Sequence, residues 1–285
     1  MAQRETQTLR HESELGTWEL VLARPQRHLR GIVERYSGYT EAGAVGGVLG
    51  QEVPSTRVPL IVNFGAPWRL SDDGGAPGER RDSFLAGLYE SSTFVAAEGP
   101  AACVQVDFTP IGAHLFLGFP MHELANRVVG VEDLLGKDRD VAARLEAAAT
   151  WDVRFDLLEA VIAARVAEAR RPAPEIVWAW HEIEQTYGAV RISALAEKLG
   201  RSRRHLTARF REHVGLGPKT FARVVRFGQA VDVLRSGHTG SFAEVAYECG
   251  YFDQAHFNRD FRQFAGTTPA ELVARLLPDG GVSGA

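Results

Sequence analysis

Cysteine and methionine occur only twice each in this chain of 285 residues. Cys103 and Cys249 lie far apart in sequence and supply neither a disulfide framework nor a metal spacing. Each thiol reads as a small buried hydrophobe. No His-x-His pair or carboxylate cluster argues for metal, and His114 has no second histidine nearby. No metal and no cofactor are expected. No apolar run approaches the roughly 20 residues that span a bilayer, so no membrane partner is expected. The opening MAQRETQTLRHESELG carries acids and lacks the apolar core of a secretory signal. The expectation is a cytoplasmic protein.

The rest of the composition is ordinary, with 45% apolar and 24% charged residues. The length suits two domains. The net charge of −4 hides an uneven distribution. Residues 1–175 hold 18 basic against 25 acidic side chains, whereas residues 176–277 hold 14 against 10. Between 198 and 226 there are nine basic residues and a single acid, Glu212. A basic segment on an otherwise acidic chain suits phosphate.

Residues 18–110 read mainly as strands and turns. Val58–Phe64 is a short apolar run, Cys103–Phe108 alternates and stops before Pro110, and Ser71–Gly78 reads as a loop or hairpin tip. From about 121 the spacing turns helical, with Leu124, Val128 and Val129 in the first helix, a second over 138–149 and a third over 152–169. The third carries an apolar stripe with polar flanks, built from Leu157, Leu158, Val161, Ile162, Arg165 and Val166, which either packs on its own domain or pairs two chains. The fold class expected is α+β: a β-rich domain over 1–170 with helices at its end, a linker over 171–175, and an all-α domain over 176–277. That all-α domain holds two helix-turn-helix units joined by a long helix over 219–236, with helices from Ile176 and from Ser193 ahead of the first reader helix. The tail over 278–285 is expected to be disordered.

The all-α reading rests on a block written twice. LAEKLGRSRRHLTARFREHVG over 195–215 is matched by VAYECGYFDQAHFNRDFRQFAG over 245–266. Ala196 and Gly200 recur as Ala246 and Gly250. After one inserted residue, Ser202, His205, Leu206, Phe210, Arg211, Gly215 and Pro218 recur as Asp253, His256, Phe257, Phe261, Arg262, Gly266 and Pro269. The glycines end one helix in the left-handed conformation, and Ser202 and Asp253 cap the next. His205 and His256 read as helix-surface or packing residues. Facing outward are Arg203, Arg204, Thr207, Ala208 and Arg211 in the first unit, and Gln254, Ala255, Asn258, Arg259 and Arg262 in the second. Arginine can fork onto guanine, Gln and Asn suit adenine, and Thr or Ala methyls can meet a thymine methyl. Two such helices in one chain suit two successive stretches of major groove.

At these residues a resemblance becomes specific. The stretch from about 190 to 277, above all GYFDQAHFNRDFRQFAGTTP over 250–269, resembles the DNA-binding domain of the AraC/XylS family of bacterial transcription regulators. The resemblance implies seven helices and double-stranded promoter DNA as partner, and it leaves room for RNA polymerase. It implies base reading at Arg204, Thr207, Ala208, Gln254, Ala255, Asn258 and Arg259, with Ser202, Arg203, Arg211, Lys219 and Arg262 on phosphate or in support. Ala208 departs from the family's usual longer side chain. The N-terminal part resembles sensing or dimerisation domains of actinobacterial members in VPSTRVPLIVNF (53–64), FTPIGA (108–113) and VVGVEDLL (128–135). A domain of this kind binds a small effector or pairs two chains into a homodimer. The residues expected to line an effector pocket are Arg57, Asn63, Trp68, Gln105 and His114. Two competing readings are a DNA-tethered enzyme with Cys103 as nucleophile, which lacks an adjacent base, and an architectural DNA binder, which leaves the first domain unexplained.

Overall fold

Side chains alternate along the strands of the N-terminal region, and this period of two gives one sheet two different faces. The computed structural model describes residues 4–13, 16–42, 50–72, 78–131, 134, 140–237 and 240–275. Seven strands pair in the order β1-β2-β3-β10-β5-β8-β11. They are β1 (Thr6–Ser13), β2 (Gly16–Ala23), β3 (Val33–Ala42), β5 (Val58–Asn63), β8 (Phe84–Ala86), β10 (Ala102–Phe108) and β11 (Val128–Gly130). A smaller sheet runs β4-β9-β6-β7, with β4 Gly50–Glu52, β6 Trp68–Ser71, β7 Glu79–Arg81 and β9 Thr93–Ala97. All these ladders are antiparallel.

One face of the large sheet presents Val21, Tyr36, Val58, Leu60, Val62, Leu85, Val104 and Val106 to the main core. Three helices accompany it: α1 (Pro110–Leu117), α2 (Val141–Ala147) and α3 (Trp151–Glu168). Thr150 caps α3 by accepting from Val153 N. Phe155, Leu158, Val161 and Ile162 are buried at helical spacing, each contributing roughly 1.5–3 kcal/mol. The apolar stripe of α3 is therefore largely consumed within the chain. Trp151 lies so close to β3 that a Cβ on Gly38 would sit 2.3 Å from its ring, which is why that position is glycine.

The all-α region has seven helices among the described residues: α4 (Pro174–Gln185), α5 (Ile192–Lys198), α6 (Arg203–Val214), α7 (Pro218–Arg235), α8 (Phe242–Glu248), α9 (Gln254–Ala265) and α10 (Pro269–Ala274). Helix α7 is the spine. Phe221 packs toward the first unit against Phe210 (ring centroids 5.7 Å apart), and Phe227 toward the second against Phe261 (4.9 Å) and Phe264 (5.2 Å).

Three sequence expectations are corrected. Val128 and Val129 are not helical; they form β11 and pair with Ala86 and Leu85 of β8. Helix α5 starts at Ile192 with Arg191 as an N-cap that makes no side-chain bond, so Ser193 is inside the helix. Helix α4 starts at Pro174, whose fixed φ and missing N–H suit a first turn. The tail over 278–285 and part of the loop over 71–78 lie outside the described residues.

Candidate nucleic-acid interface and ligand cavity

Each reader helix is fixed by its cap and its preceding glycine. Gly200 and Gly250 have φ of +61° and +72° and turn the chain sharply after α5 and α8. Ser202 Oγ accepts from His205 N at 3.2 Å, and Asp253 Oδ1 accepts from His256 N at 2.7 Å. Leu206, Phe210, Phe257 and Phe261 are buried. What remains on the outer face of α6 is Arg203, Arg204, Ala208 and Arg211, all exposed, with Thr207 half-buried beside them. On α9, Gln254, Ala255, Arg259 and Arg262 are exposed and Asn258 is half-buried. Ser202 and Lys219, at the starts of α6 and α7, are exposed as well.

The basic residues fall into two groups. Arg209 pairs with Glu212, Arg226 donates to Gly188 O at 2.7 Å, and Arg223 Nη2 donates to Asp260 Oδ1 at 2.7 Å and Gln263 Oε1 at 2.6 Å. Arg209 is thus paired within α6, while Arg223 and Arg226 tie α7 to its neighbours. Arg203, Arg204, Arg211, Lys219, Arg259 and Arg262 have no carboxylate partner among the described residues. The 18 residues of α7 span about 27 Å at 1.5 Å per residue, on the scale of the roughly 34 Å helical repeat of DNA.

Residues 195–275 match the family model of a helix-turn-helix domain. Over 84 residues the chain is 32% identical to the HTH-type transcriptional activator RhaS of Escherichia fergusonii, a match covering 30% of either chain. Over 83 residues it is 36% identical to the HTH-type transcriptional regulator GlxA of Rhizobium meliloti, covering 29% of this chain and 25% of that one. The C-terminal region is an AraC-type helix-turn-helix domain. The matches span less than a third of these relatives' own length. Residues 22–130 match a domain of unknown function, DUF6597. Among solved structures, ToxT from Vibrio cholerae is 9% identical, with a TM-score of 0.49 over 85% of this chain and 98% of that one.

The second face of the large sheet lines a cavity of about 690 Å³ shared with the small sheet. Leu20 of β2, Ser37 and Tyr39 of β3, Ile61 of β5, Phe84 of β8 and Cys103 and Gln105 of β10 face it. Of the five expected pocket residues, Arg57, Trp68 and Gln105 line it. Asn63 lies behind, accepting from Trp68 Nε1 at 3.3 Å and so orienting that ring. His114 is elsewhere. It sits on α1, its ring 4.6 Å from that of His213 on α6, because α1 covers the opposite face of the sheet and docks on the first reader helix. Its pKa is lowered by burial and by His213.

Two features of the seam between the regions had no signal in the sequence. Gly50 and Glu52 of β4 line the cavity, while Gln51 between them points the other way and donates to Ala265 O, at the end of α9, at 2.7 Å. Ser91 and Thr93 line it too, and Ser92 Oγ lies 3.9 Å from the position of a Cβ on Gly266. The cavity wall is thus also the backrest of the second reader helix. In the cavity lining, Arg57 Nε donates to Glu34 Oε2 at 2.7 Å. Glu184 of α4 is raised to about 7 by burial and by the charge of Glu34. Between about 4.5 and 7 the folded chain holds a proton that the unfolded chain has released, so this group makes stability fall as pH rises through that window. Glu184→Gln is expected to flatten that fall, measured as midpoints of urea unfolding from pH 4.5 to 8.

Among the described residues no group of three or more His, Cys, Asp and Glu could hold a metal ion, and no helix is long and apolar enough to cross a membrane. Burial pushes the Cys103 thiol up to about 12.

Proposed function

We propose that this chain is a sequence-specific transcription regulator whose two reader helices enter successive stretches of promoter major groove and whose N-terminal domain binds a small effector. The observation that carries the proposal is the pair of capped helices whose outward cations have no carboxylate partner among the described residues. The printed names of RhaS and GlxA, a transcriptional activator and a transcriptional regulator, support it for the matched domain. In this reading Arg204, Thr207 and Ala208 face bases in one segment and Gln254, Ala255, Asn258 and Arg259 in the next. Ala208 has only a methyl group, which suits a thymine methyl and no hydrogen bond. Arg203, Arg211, Lys219 and Arg262 hold phosphates, and Ser202 supports α6 through its cap. The cavity is the effector site, and β4 and the residue just before β9 carry occupancy to the C-terminal end of α9 through Gln51 and Ser92.

A reactive Cys103 is not favoured, because a thiol held that far above its ordinary value stays protonated at neutral pH. The test is Arg204→Ala on the preferred sequence and on random DNA. Loss of a forked guanine contact costs about 1–3 kcal/mol on the preferred sequence alone. An equal loss on both would make Arg204 a phosphate contact and remove it from base reading.

A further inference from the structure

The chemistry of the cavity lining goes further than the statement that an effector binds there, and this inference rests on that reading. Trp18, Tyr39, Trp68 and Phe84 present aromatic side chains to a single space. Glu41 lies among them. It is directly opposite Trp18 across the β2–β3 ladder and two residues beyond Tyr39 on the same face of β3. Directly opposed side chains have Cβ atoms about 4.5–5.5 Å apart, so one group can touch the carboxylate and an aromatic face together. The Glu41 side chain is half-buried and has no partner among the described residues. Glu52 adds a second carboxylate across the cavity, with an interaction of its own.

The opposing charge is Arg57, and its Nε is already committed to Glu34. His11, the other basic side chain of the lining, stacks on Trp18 at 5.7 Å. The lining therefore holds two carboxylates against one guanidinium that already has its own counter-ion. A positive charge near the faces of Trp and Tyr is favoured by the ring quadrupoles, most strongly where water is excluded. We propose that the cavity takes a flat lipophilic cation, an aromatic amine or aromatic quaternary ammonium, with Glu41 as its counter-charge and Trp18 and Tyr39 as its aromatic walls.

The test uses full-length protein and three ligands of one ring system in isothermal titration: trimethyl(1-naphthylmethyl)ammonium, 1-naphthalenemethanol and 1-naphthoate. The cation is expected to bind at least ten-fold more tightly than the alcohol, with naphthoate weakest. Glu41→Gln is expected to weaken the cation about ten-fold and leave the alcohol unchanged. Trp18→Leu, a second variant with an uncharged change, is expected to reduce the same preference. If the alcohol or naphthoate binds as tightly as the cation, or the preference survives both substitutions, the cation inference is overturned while the cavity remains an effector site. If none of the three ligands binds, the effector reading falls with it.

Discussion

Arg223→Ala is expected to cost about 3–5 kcal/mol, the cost of breaking a buried ion pair from one side. Arg223 reaches from α7 to Asp260 on α9, where the carboxylate is 1% exposed and its Oδ2 has no partner. Removing the guanidinium takes away the hydrogen-bonded partner of a buried carboxylate at the back of the second reader helix and leaves it the His256 ring at 4.0 Å. The loss should appear in urea unfolding. Converting both groups to apolar ones, Arg223→Met with Asp260→Leu, should recover most of it, because an absent charge needs no partner. A double variant as unstable as Arg223→Ala would show that stacking of the guanidinium on Phe264, its central carbon 4.9 Å from the ring centroid, is what matters.

The second large effect is on binding. Arg203→Ala with Arg211→Ala removes two exposed cations from α6 that have no carboxylate partner among the described residues. Each phosphate contact contributes about 0.9 to the slope of log affinity against log salt. The double variant should therefore bind with a slope shallower by about 2, and with affinity lower by roughly 50-fold at 0.1 M salt. The loss should be equal on preferred and random DNA, unlike that of Arg204→Ala. Unfolding midpoints should barely move. An unchanged slope would place α6 off the phosphate backbone.

The parts of this architecture that were legible in the sequence are those fixed by local chemistry. Gly200 and Gly250 announce their turns because a left-handed residue is needed there, and Ser202 and Asp253 announce caps because the oxygen and the N–H it binds are three residues apart. The outward faces follow from periodicity once Leu206, Phe210, Phe257 and Phe261 are assigned to the core. Long-range facts were not legible in this way. β11 is three residues long and is a strand only because β8, over 40 residues earlier, pairs with it. Nothing in the neighbourhood of His114 says which side of the sheet α1 covers, so its place against His213 follows only from the assembled fold. Gln51 and Ala265 are 214 residues apart, and no local pattern links them. The cavity itself was legible only by halves. Alternation in β3 puts Ser37, Tyr39 and Glu41 on one face, but the opposing wall comes from β4, β6 and β9, whose short strands carry little pattern.

The proposed function requires two reader helices acting on adjacent major-groove segments. Selection of bound sequences from a random DNA pool by the full-length chain, at two salt concentrations, tests it most directly. The expected result is a motif of two boxes whose centres lie about one helical turn apart, retained at the higher salt. Asn258→Ala should erase preference in one box only, and Arg204→Ala in the other. Recovery of no motif, with binding that disappears as salt rises, would leave a cationic surface without sequence reading and contradict the account.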